Sequence, residues 1–84
     1  MIIGLTGNFR KPRFYEIVNS IFPVIVNAGH SCFISSDYEE DEDAGKLKVG
    51  IDSLEFSELV ETCDIILTIG GDGTLLSTAR RMEE

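Results

Sequence analysis

An apolar run that opens directly into glycines constrains this chain more than any other feature. Residues 64–69, Asp-Ile-Ile-Leu-Thr-Ile, pass straight into Gly70-Gly71-Asp72-Gly73-Thr74. The run 65–69, bounded by Asp64 and Gly70, reads as a strand buried on both faces of a parallel sheet. Three glycines around Asp72 permit positive φ and let a ligand come close to the backbone. Thr74 is placed to cap a following helix over 75–82, whose free N–H groups and dipole favour phosphate. A carboxylate beside a phosphate-binding turn suits a group that takes a proton from a hydroxyl or holds Mg²⁺. The plain alternative is a strand-to-helix turn with an ordinary Asp.

Upstream, strands and helices alternate. Residues 2–7, Ile-Ile-Gly-Leu-Thr-Gly, read as a first strand. Pro12 suits the first position of a helix, and Phe14, Ile17, Val18, Ile21, Phe22, Ile25 and Ala28 then recur at three- and four-residue steps as one apolar stripe. Pro23 lies inside that stripe and is expected to kink the helix or end it early, with Gly29 as its natural stop. Residues 30–36 read as a second strand centred on Cys32-Phe33-Ile34. The stretch around Lys46-Leu47-Lys48-Val49, between Gly45 and Gly50, is unassigned loop. Asp52 with Glu55 forms a capping box, or Ser57 caps a shorter helix; either helix ends near Thr62.

Three strands separated by helices predict an α/β domain with a parallel sheet and right-handed crossovers, 1–84 being one partial domain. In such sheets ligands bind beyond the carboxyl ends of the strands, where the strand order reverses. With the first strand between the other two, Asn8, Arg10 and Lys11 share one edge with 70–74, and Arg10 and Lys11 can meet phosphates. The competing reading makes Asn8 a turn residue and the two cations solvated. His30 stands alone beside Gly29 and reads as structural.

A net charge of −8 argues against nucleic acid as a partner, since that needs a basic face. Most of the excess sits in the run 37–43, with six acids in seven positions. Such a run repels itself and is costly to bury, so it reads as a solvated, mobile loop; the sharper reading is a cation site or a gate over a nucleotide cleft. No apolar run has the length of a membrane span and the amino terminus is a strand pattern, so a soluble cytoplasmic chain is expected, with no membrane partner. Cys32 and Cys63 have no metal or disulfide spacing and read as free core residues of a reducing compartment.

The segment Gly70-Gly71-Asp72-Gly73-Thr74-Leu75-Leu76 resembles the Gly-Gly-Asp-Gly-Thr signature of NAD kinases, with diacylglycerol-type lipid kinases and phosphofructokinases as more distant relatives. The opening strand ending in Asn8-Phe9-Arg10-Lys11-Pro12 is similar to the start of many bacterial NAD kinases. The resemblance implies a Rossmann-like amino-terminal domain, incomplete here, with a later Asn-Glu pair and a second, β-rich domain absent from these 84 residues. A chain that stops at Met82-Glu83-Glu84, inside the predicted helix, is expected to be a fragment. By that resemblance the parent phosphorylates the 2′-hydroxyl of NAD to give NADP, using ATP or polyphosphate with Mg²⁺ or another divalent cation. Asp72 matches the general base. Gly70, Gly71 and Thr74 shape the phosphate turn, and Gly73 borders the dinucleotide. Ser77 departs from the family, many members of which carry a basic residue or His there. Two alternatives stand beside this reading: a lipid-kinase segment, and a truncated module without activity that survives as a homo-oligomer.

Overall fold

A computed structural model describes residues 1–11, 13–69 and 76–80, the last as backbone. The chain runs β1 (Ile2–Gly7), α1 (Phe14–Asn27), β2 (Ser31–Ser35), β3 (Asp52–Leu54), α2 (Phe56–Thr62), β4 (Ile65–Ile69) and β5 (Leu76–Arg80). One sheet holds the strands in the order β3-β2-β1-β4-β5. The first four are parallel and β5 runs antiparallel to β4. This is the expected α/β architecture, with β1 between β2 and the strand that leads to the glycines.

Alternation along each strand divides the apolar residues between two cores. On one face Leu5, Cys32, Ile34 and Ile69 pack with Phe14, Tyr15, Val18 and Ile25 of α1, and with Ile51. On the other, Ile66 packs with Leu59 of α2 and with Cys63 just after that helix, flanked by Ile2, Phe33 and Leu54. Gly4 lies under α2, where a Cβ would come within 2.8 Å of the Cys63 sulfur and 2.9 Å of Leu59. The small residue thus sets how closely the second helix approaches the sheet. Asp64 closes the start of β4: its N–H donates to the Ile2 carbonyl at 2.8 Å, and its carboxylate accepts the Ile2 N–H at 2.9 Å.

Helix α1 matches the stripe from Phe14 to Ile25, with Phe14, Val18 and Ile25 buried, whereas Ala28 lies just beyond the helix and is exposed. Pro23 is inside the helix and does not end it. It stands exposed, so the hydrogen bond it forgoes is lost on a solvated face rather than in the core. The stop is at Gly29 as expected: it takes φ +91°, its N–H donates to the Val26 carbonyl at 2.9 Å, and the His30 N–H reaches the Ile25 carbonyl at 3.2 Å. That pair of bonds is a Schellman closure, which a left-handed residue makes possible.

Several expectations are corrected. Asp52 and Ser53 belong to β3, not to a capping box, and Ser57 lies within α2; Glu55 precedes that helix without a side-chain cap. The helix does end at Thr62. Strand β4 is not buried along both faces: Ile66 and Ile69 are, but Thr68 is exposed because the seven-residue α2 covers only part of its face. Residues 76–80, expected as helix, form a strand that pairs Ile69 with Leu76 and Ile65 with Arg80. A strand edge with unpaired N–H and C=O groups is a strong template, and a mixed sequence such as Leu-Ser-Thr-Ala-Arg has no apolar stripe to oppose it.

Candidate functional site

The parallel pairing of β1 with β4 fixes what meets at the carboxyl edge of the sheet. Gly7 stands opposite Ile69, so β1 and β4 end at the same level and the turn that starts at Asn8 leaves the sheet beside the end of β4. Gly7 has φ +145°, and a Cβ there would overlap the Ile69 carbonyl oxygen. The closeness of the two strand ends therefore depends on a residue without a side chain.

After Gly7 the chain turns on its own hydrogen bonds. The Asn8 side-chain oxygen accepts the Arg10 N–H at 3.1 Å, and its carbonyl accepts the Lys11 N–H at 3.1 Å. Lys11 in turn accepts the Phe14 N–H at 3.1 Å, which carries the chain into α1. Asn8 is thus an Asx-turn residue, its oxygen already committed. Arg10 is exposed, with its guanidinium 5.9 Å from the centre of the Phe9 ring. Among the described residues it forms no ion pair. Lys11 is also exposed.

Arg10 and Phe9 share an open cleft of about 640 Å³ with Asp37, Glu40, Asp41, Glu42 and Asp43. The acidic run is solvated as expected, with Asp37, Glu39, Glu40, Glu42 and Asp43 exposed, but it has local structure. Ser36–Glu40 form a short 3-10 helix, and Ala44–Lys46 form a second. Tyr38 packs on the main core. The buried Tyr15 hydroxyl donates to Asp41 at 2.8 Å, and the Ser53 hydroxyl donates to Glu39 at 2.6 Å. Further along, Asn19 clamps the chain from α1: its amide N–H donates to the Lys46 carbonyl at 2.9 Å and its oxygen accepts the Lys48 N–H at 2.8 Å. Carboxylates that repel one another are held in place by serving as acceptors for groups that come from elsewhere in the fold.

The Tyr15 phenol is pushed well above its ordinary value, first by burial, then by the hydrogen bond to Asp41 and the nearby charges of Asp41 and Asp43. Burial, with Glu39 adding to it, also raises Tyr38. The Cys32 thiol is pushed up to about 11, chiefly by burial and secondarily by Cys63. Both cysteines are buried and neither forms a disulfide, in keeping with small core residues. His30 Nδ1 and Ser35 Oγ are buried without a hydrogen-bond partner among the described residues.

Of the residues singled out from sequence, Asn8 and Arg10 are together at the carboxyl edge, Asn8 in a turn role and Arg10 in the acidic cleft. Gly70, Gly71, Asp72, Gly73 and Thr74 lie outside the described residues, as does Pro12. Tyr15 and Asn19 were not singled out, although both lie on α1 within reach of the stripe. An aromatic with a polar tip next to buried Phe14 was the available signal for Tyr15. Among the described residues no group of three or more His, Cys, Asp or Glu side chains could hold a metal ion. No described helix is long and apolar enough to cross a membrane.

No protein-family model matches the chain, and no solved structure does. Two curated proteins are similar to it. An NAD kinase of Nitrosococcus oceani is 31% identical over 99% of the chain, and an NAD kinase of Methylibium petroleiphilum is 28% identical over 94% of it. The chain spans only 27% and 25% of the length of these two relatives, and the lipid-kinase alternative draws no support from either.

Proposed function

We propose that this chain is the amino-terminal segment of an NAD kinase, an enzyme that transfers a phosphoryl group from ATP or polyphosphate to the 2′-hydroxyl of NAD. The observation that carries the proposal is the similarity to two NAD kinases over nearly the whole chain. The fold supports it. A strand leading to Gly70-Gly71-Asp72-Gly73-Thr74 runs beside the strand leading to Asn8 and Arg10, at the edge where parallel sheets bind their ligands. In this reading Asp72 takes the proton from the 2′-hydroxyl as phosphorus–oxygen bond formation begins. Gly70, Gly71 and Thr74 offer backbone N–H groups to phosphate, Gly73 borders the dinucleotide, and Arg10 pairs with a phosphate oxygen. Asn8 contributes by holding the turn that presents Arg10. Positioning of this kind accounts for most of the catalysis in phosphoryl transfer. Mg²⁺ bound with the phosphates of the donor would supply charge neutralisation there. Among the described residues no group of three or more His, Cys, Asp or Glu side chains could hold it.

The 84 residues hold only part of such a site, so weak NAD binding and little or no turnover are expected of them alone. The test is NAD titration of the chain, followed by backbone amide shifts, beside the same titration of Arg10→Ala and Asp72→Asn. Saturable shifts at 8–11 and 70–74 that weaken in both variants are expected. Shifts scattered over the surface and indifferent to both substitutions would refute the assignment.

A further inference from the structure

We draw no further inference here: the strongest candidate, the acid-lined cleft that Phe9 and Arg10 share with Asp37, Glu40, Asp41, Glu42 and Asp43 at the carboxyl edge of the sheet, rests on a cluster of acidic residues with no second feature among the described residues that points to a ligand.

Discussion

Replacing Gly7 by alanine tests the idea that the junction of β1 and β4 tolerates no side chain. Two costs add at this position. At φ +145° an L-residue is strained by about 1–3 kcal/mol. The new Cβ also overlaps the Ile69 carbonyl oxygen and lies 3.0 Å from the Ile69 nitrogen, and strand backbone cannot swing aside as a side chain can. Overpacking of this sort costs about 1–3 kcal/mol more. Gly29 supplies the control. Its φ of +91° carries a strain of its own, but a Cβ there has nothing within 4 Å, so Gly29→Ala costs about 1–2 kcal/mol. A domain of 84 residues has a total stability of about 4–13 kcal/mol. Gly7→Ala therefore takes away a large part of the whole, and Gly29→Ala a modest part. Taking the middle of each range, the two substitutions differ by about 2.5 kcal/mol. With about 4–8 °C of melting temperature per kcal/mol at this size, Gly7→Ala should melt about 10–20 °C below Gly29→Ala, or fail to fold. Thermal unfolding by circular dichroism, with urea midpoints as a check on two-state behaviour, reads the difference. Equal losses, or a larger loss at Gly29, would show that the close approach of Gly7 to Ile69 is not what limits the position.

Tyr15→Phe removes the hydroxyl that Asp41 accepts at 2.8 Å and should cost about 1 kcal/mol by urea unfolding at neutral pH. The folded-state phenol is raised, so its contribution is complete below the unfolded value of about 10 and is lost as pH climbs from there towards the folded value. Stability of the unsubstituted protein should thus fall more steeply above about pH 10 than that of Tyr15→Phe, and parallel curves would refute the linkage. Asn19→Ala leaves the Lys46 carbonyl and the Lys48 N–H without their partner, at a cost of about 1–2 kcal/mol. Faster hydrogen exchange at the Lys48 amide is the specific readout, and unchanged exchange there would count against the clamp. Cys32, 8% exposed and with its thiol raised to about 11, should resist alkylation at neutral pH and react fully only on denaturation. Fast native-state labelling would contradict both the burial and the shift.

The elements legible in the sequence are those whose burial is written into a local pattern. Strands β1 and β4 are short apolar runs because helices pack on both sides of the sheet, and α1 shows its inward face at three- and four-residue steps. Strand β3 has no such pattern: three residues, one of them Asp and one Ser, become a strand only because β2 offers Phe33, Ile34 and Ser35 as partners. The same applies to β5, whose pairing with β4 is decided by a free edge and not by its own residues. At the candidate site, the Asn8 turn was legible because its hydrogen bond spans two residues. The loop reading of the acidic run rests on its self-repulsion, which is a local property. What orders it is non-local: Asp41 meets Tyr15 across 26 positions and Glu39 meets Ser53 across 14. A run of like charges can therefore be placed when the fold brings it donors. Here the fold does so because parallel strands deliver the acidic run and the Arg10 turn at the carboxyl ends of adjacent strands. The topology that gathers loops for binding thus also supplies the contacts that hold the most highly charged of them.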